Sequence, residues 1–182
     1  MKIGQSSAIA RISGAAIVSG TAWLTWEVSR RLWDDGASSD CTTSADYFND
    51  TAFALANLAA AVALASSFLL VRGALRWVAL AAAIGAVASG IGNSVEHCVA
   101  ESFFLLYVAG ALTYTLATCA LAAGLLITGR LGRYPGLLLL AAALGLLAFD
   151  SERGGAAVTG IAWLGFAALL VYLHPDDAIL EA

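Results

Sequence analysis

Gly85-Ala-Val-Ala-Ser-Gly-Ile-Gly-Asn-Ser-Val-Glu-His-Cys98 begins as one of the most apolar runs in the chain and ends in its densest cluster of reactive side chains. Wound as an α-helix, it places Gly85, Ser89, Gly92, Asn93 and Glu96 on one face. Small residues on that face let a second helix approach closely, and an amide and a carboxylate follow along the same seam. The stretch therefore predicts a helix packed inside a bundle, with any site at its polar end.

Working outward, hydrophobic residues make up 60% of the chain and charged residues 12%, and the mean hydropathy is +0.84. Soluble domains carry about 25% charged residues, and a chain of 182 residues could not hide this much apolar surface from water. The apolar runs approach the ~20 residues needed to span a bilayer. The expectation is an all-α integral membrane bundle forming one domain. A net charge of −4 and the lack of a basic stripe exclude a nucleic-acid partner.

Six transmembrane spans are predicted, at about 8–29, 51–71, 77–98, 103–127, 136–149 and 156–173. Met1 to Trp26 has a weakly basic start and an apolar middle, but no Ala-x-Ala site closes it, so it reads as a retained first span. Connections are short except for an acidic segment, 30–50, which holds five aspartates and Cys41 and whose Ser, Thr, Asn and Gly content predicts loop with room for a short surface helix. Pro135 marks a new start before the fifth span, which is short for a bilayer. Lys2, Arg11, Arg72, Arg76, Arg130 and Arg133 fall on one side, which the positive-inside rule places in the cytoplasm together with both termini. Arg30 and Arg31 fall on the other side, with Glu27 and the aspartates to pair with. The predicted location is the plasma (inner) membrane, as a multi-pass protein.

With this topology the polar and aromatic groups converge on the outer leaflet. Counting ~1.5 Å per residue, Glu27 lies ~24 Å above Arg11 and Glu96 ~30 Å above Arg76. Asn93 is a turn deeper, where an unpaired amide costs free energy, so a residue of span 1, 2 or 4, or a ligand, must satisfy it. Cys41 and Cys98 both face an oxidising compartment and are expected to form a disulfide, while Cys119 lies mid-membrane. Glu27 can simply pair with Arg30 or Arg31, in the favourable acid-before-base order. Its functional reading is a carboxylate facing a cavity, ready to exchange a proton. Adjacent residues point ~100° apart, so Glu96 and His97 cannot both face one small site, and Glu96 is expected to point inward. Asn57, Tyr107, Tyr114 and Trp163 are candidate wall residues, although helix–helix contact is their commoner use. Trp23, Trp26, Trp33 and Trp77 fit interfacial belts, with Trp23 also a candidate for the wall.

No CxxC, Cys/His ligand spacing, nucleophilic triad or phosphate-cradling glycine loop is present, so neither a metal nor a cofactor is expected. Two functions of different class fit these residues. The first is a pocket for a lipophilic, lipid- or isoprenoid-like small molecule, opening in the outer leaflet between spans 1 to 4. Glu27 and Glu96 would supply acid–base catalysis there, such as isomerisation or cyclisation, within a wall of Trp23, Asn57, Asn93, Tyr107, Tyr114 and Trp163. The second is a non-catalytic accessory subunit, whose small-residue seams would meet a partner membrane subunit or a second copy. A small transporter is a third reading, weakened by a featureless cytoplasmic half. An enclosed outer-half cavity favours the first over the second.

Overall fold

Thr43 and Asp46 mark where the polar composition misleads. The Thr43 hydroxyl accepts from the Asp46 amide and the Asp46 carboxylate accepts from the Thr43 amide, a reciprocal cap that starts a helix at Ser44. Half of the expected 30–50 loop is therefore helical. In the computed structural model, which describes residues 3–33, 41–99, 101–129, 131–148 and 154–174, the described residues form six helices. They are α1 (Ile3–Trp33), α2 (Ser44–Ser67), α3 (Ala74–Cys98), α4 (Phe104–Thr128), α5 (Arg133–Ala148) and α6 (Gly155–Leu173), with a 3₁₀ turn at Glu101–Phe103. Asp34, Asp35, Asp40, Arg130, Asp150, Glu152, Arg153 and the tail from Pro175 lie outside the described residues.

Four helices, α2, α3, α4 and α6, are long and apolar enough to cross a membrane. That is fewer than the six spans expected. The longest helix, α1, is diluted by Arg11, Glu27, Arg30 and Arg31, and the apolar run of α5 is shorter. Boundaries move as well. α1 continues to Trp33 and takes in both arginines, and α5 starts at Arg133 rather than Gly136. Pro135 then lies in its first turn, where a missing N–H breaks no helical bond.

Each helix packs against its neighbours in sequence, and α6 returns to α1, so the chain closes an up-and-down ring. Small residues make the ring tight. A Cβ added at Gly85 would stand 2.3 Å from the Tyr114 nitrogen, and one at Gly110 2.3 Å from the Ser89 nitrogen, so α3 and α4 touch backbone to backbone. Gly20 and Gly160 do the same for α1 and α6, each carbonyl within 3 Å of the other's added Cβ. Ser13, Ala16, Gly20, Trp23 and Glu27 share one face of α1 by helical spacing, and that face is buried along its whole length. Large side chains fill the middle of the ring, chief among them Trp23, Trp163, Leu121 and Leu125. Buried hydroxyls cross between helices where they find carbonyls: Ser19 donates to Ala56 at 2.9 Å and Thr159 to Ala142 at 3.1 Å.

Candidate functional site

α1 and α3 end where α2 and α4 begin, and the polar residues gather at that end of the ring. Cys41 and Cys98 are joined there by a disulfide, with their Cα atoms 4.9 Å apart. The Cys41 amide also donates to the His97 carbonyl at 3.3 Å. The bridge thus ties the start of α2 to the last turn of α3. The amide of Asn93 donates to Asp50 at 2.9 Å, a partner on α2 that the loop reading had hidden. Asp50 lies with the two cysteine sulfurs inside 4.8 Å, a metal-like spacing, but the sulfurs are spent on each other.

Beside this latch lies a cavity of about 410 Å³. Its mouth carries Trp26 and Arg30 from α1 with Asn93 and His97 from α3. Phe53, Tyr107 and Ala111 form the middle, and Trp23, Asn57, Ser89, Tyr114 and Thr115 the floor. Leu112 of α4 and Leu147 of α5 close one side. From Arg30 to Trp23, or from His97 to Ser89, the wall runs ~10–12 Å along the helices. The aromatic rings brace one another: Trp23 meets Trp26 at 5.7 Å and Phe53 at 5.3 Å, both edge to face, and Phe53 meets Tyr107 at 6.2 Å. Arg30 stacks on Trp26, its guanidinium carbon 5.0 Å from the ring centre.

The predicted wall residues divide. Trp23, Asn57, Asn93, Tyr107 and Tyr114 line the cavity together. Trp163 stands off the wall, fully buried in the middle of the ring and close to Tyr114. Glu27 is held by Arg31, which donates through Nε at 2.6 Å, and Glu27 is absent from the wall. Glu96 is near enough to Tyr107 for its charge to act on it, and is also off the wall. His97, not Glu96, stands at the mouth, while Glu96 buries one carboxylate oxygen away from the wall. Ser89, Asn93 and His97 recur every four residues along one line of α3, and that strict spacing carries the signal. Trp23, Trp26 and Arg30 form a similar line on α1. Trp23 is a wall residue as expected and Trp26 joins it there rather than in a belt, whereas Trp33 and Trp77 stand exposed at opposite ends.

Several buried polar atoms in this region have no hydrogen-bond partner among the described residues. They include Trp23 Nε1 and one carboxylate oxygen each of Glu27 and Glu96. By contrast, Asn57 donates to the Phe53 carbonyl at 3.0 Å. Unpaired donors in an apolar interior cost free energy unless something else accepts from them. Comparison with known proteins finds no match: no family model, no curated protein and no solved structure aligns with this chain.

Proposed function

We propose that this chain is a six-span protein of the plasma (inner) membrane that binds a lipophilic small molecule in the cavity between α1, α2, α3 and α4. The carrying observation is the cavity itself: about 410 Å³, walled by interlocked aromatic rings and punctuated by a few polar groups. That size and lining suit a small organic ligand. The tight packing of α1 against α2 and α6 favours counting it as a span despite its charges. The arginines at the opposite end favour a cytoplasmic placement there, leaving the cavity in the outer leaflet.

Binding, rather than acid–base turnover, is the function the geometry favours. No carboxylate is found among the described residues that line the cavity, and Glu27 is engaged by Arg31. The accessory-subunit reading draws on one specific feature, an apolar groove on the outside of α3 between Leu58, Val62, Ile84, Val87, Ile91 and Leu106. Native mass spectrometry in mild detergent, followed by solvent extraction, separates the two. A discrete co-purifying lipophile that is lost on filling the cavity with Ala111→Trp supports the pocket. A bare chain, or one carrying a second polypeptide, sinks it and favours the subunit.

A further inference from the structure

The lining of the cavity differs from one side to the other. On the α2–α3 side stand two amides and a hydroxyl, those of Asn57, Asn93 and Ser89. Asn57 spends one N–H on the Phe53 carbonyl, and Asn93 spends one on Asp50. An amide carries two N–H donors and a carbonyl, so each keeps hydrogen-bonding capacity beyond that bond. Toward α5 the lining is apolar, with Leu112 of α4 and Leu147 of α5.

Those two leucines also face outward. They line the cavity and are 52% and 57% exposed on the outside of the ring. A side chain does both only where the wall is one residue thick. At ~1.5 Å per residue, Leu112 lies ~24 Å from the end of α4 at Thr128, and Leu147 ~21 Å from the start of α5 at Arg133. The two therefore stand level. Exposed side chains change rotamer in picoseconds to nanoseconds, so a wall made of these leucines opens without moving a helix. Lipid tails are as apolar as leucine, so a hydrocarbon chain crossing there loses no favourable surroundings.

Resting on the pocket reading above, we infer that the ligand is a chain-bearing lipophile whose chain leaves sideways into the bilayer between α4 and α5. Its small polar head meets the amides of α2 and α3, and its chain passes over Leu112 and Leu147. The cavity then selects the head and leaves the length of the chain unread.

The test uses the full-length protein in lipid nanodiscs with two uncharged probes, octanol and hexadecanol. The shorter chain fits within a wall ~10–12 Å long, and the other is twice its length. Native mass spectrometry reads the occupancy of each at equal mole fraction in the bilayer. The expected result is retention equal within ~3-fold, because the extra carbons stay among lipid tails. Leu112→Trp and, separately, Leu147→Trp should cut hexadecanol retention ~10–100-fold and spare octanol, since the longer chain must be forced past an overfilled gap. Both sites are half-exposed, so neither change loads the packed core, and an unchanged melting point checks this. Leu105→Trp, on the lipid face of α4 and outside the cavity, should alter neither probe. A preference of the unaltered protein for octanol by ~10-fold or more overturns the open side and leaves a closed pocket. A ratio that neither tryptophan moves, or that Leu105→Trp moves as much, overturns the α4–α5 route. Retention of neither probe removes the pocket as well.

Discussion

Tyr114 buries its hydroxyl at the floor of the cavity, beside the Trp163 indole N–H that can donate to it. Tyr114→Phe removes that acceptor, so the ligand-free protein should melt lower, by the ~0.5–1.5 kcal/mol of one neutral hydrogen bond. Ligand affinity should fall as well, by ~3–10-fold. Thermal unfolding with and without the co-purifying lipophile measures both. An unchanged melting point without ligand would mean that the hydroxyl makes no bond in the folded protein. Glu27 is paired within its own helix. Its pairing with Arg31 was readable from the spacing of four residues, because both lie on the same helix. The partner of Asn93 was not, since Asp50 lies 43 residues earlier and only the α2–α3 contact brings them together.

At the scale of the helix, glycine spacing and capping do most of the work. Gly110→Ala would force a Cβ into the Ser89 backbone and should lower stability by ~1–3 kcal/mol through overpacking. Gly14 has nothing within 4 Å of an added Cβ, so Gly14→Ala on α1 should be neutral or stabilising by up to ~1 kcal/mol. Paired melting curves in detergent check the contrast, and equal losses at both sites would refute the close α3–α4 crossing. The start of α2 is sensitive to acid. Asp46, in the first turn at the water-exposed end, accepts from the Thr43 amide and hydroxyl, which hold its carboxyl below the usual carboxylate range. A depressed carboxyl stabilises the fold above its unfolded pKa of ~3.9, and that contribution fades as the pH falls through the lower folded value. Amide exchange at Ser44–Tyr47 should therefore quicken only in strong acid, and Thr43→Ala should quicken it at neutral pH.

For the whole molecule, the disulfide is the one covalent tie across the ring's polar end. It closes a loop between positions 57 apart, and its loss should cost ~2–4 kcal/mol. Dithiothreitol should lower the melting point of the native protein and leave that of Cys98→Ala unchanged. Because Cys98 follows His97 directly, reduction should also weaken ligand retention at the mouth. A reduced protein that melts and binds like the oxidised one would assign the bridge no structural role. The ring closes without any soluble domain among the described residues, so this latch and the glycine crossings carry the positioning of the cavity wall.

The residues alone determined the class of the molecule: a helical membrane protein, with a small-residue seam on α3 and a disulfide between Cys41 and Cys98. Each of these follows from composition, helical period or side of the membrane, which are local properties. Tertiary structure decided the rest. It converted part of the acidic segment into α2 and turned His97 rather than Glu96 to the mouth. It also moved Trp26 from a belt to a wall and left Trp163 behind it. Helical spacing tells which residues share a face, but the element that covers the face is chosen by the packing of the whole ring. A turn of ~100° between neighbours is enough to exchange one side chain for another at the same site.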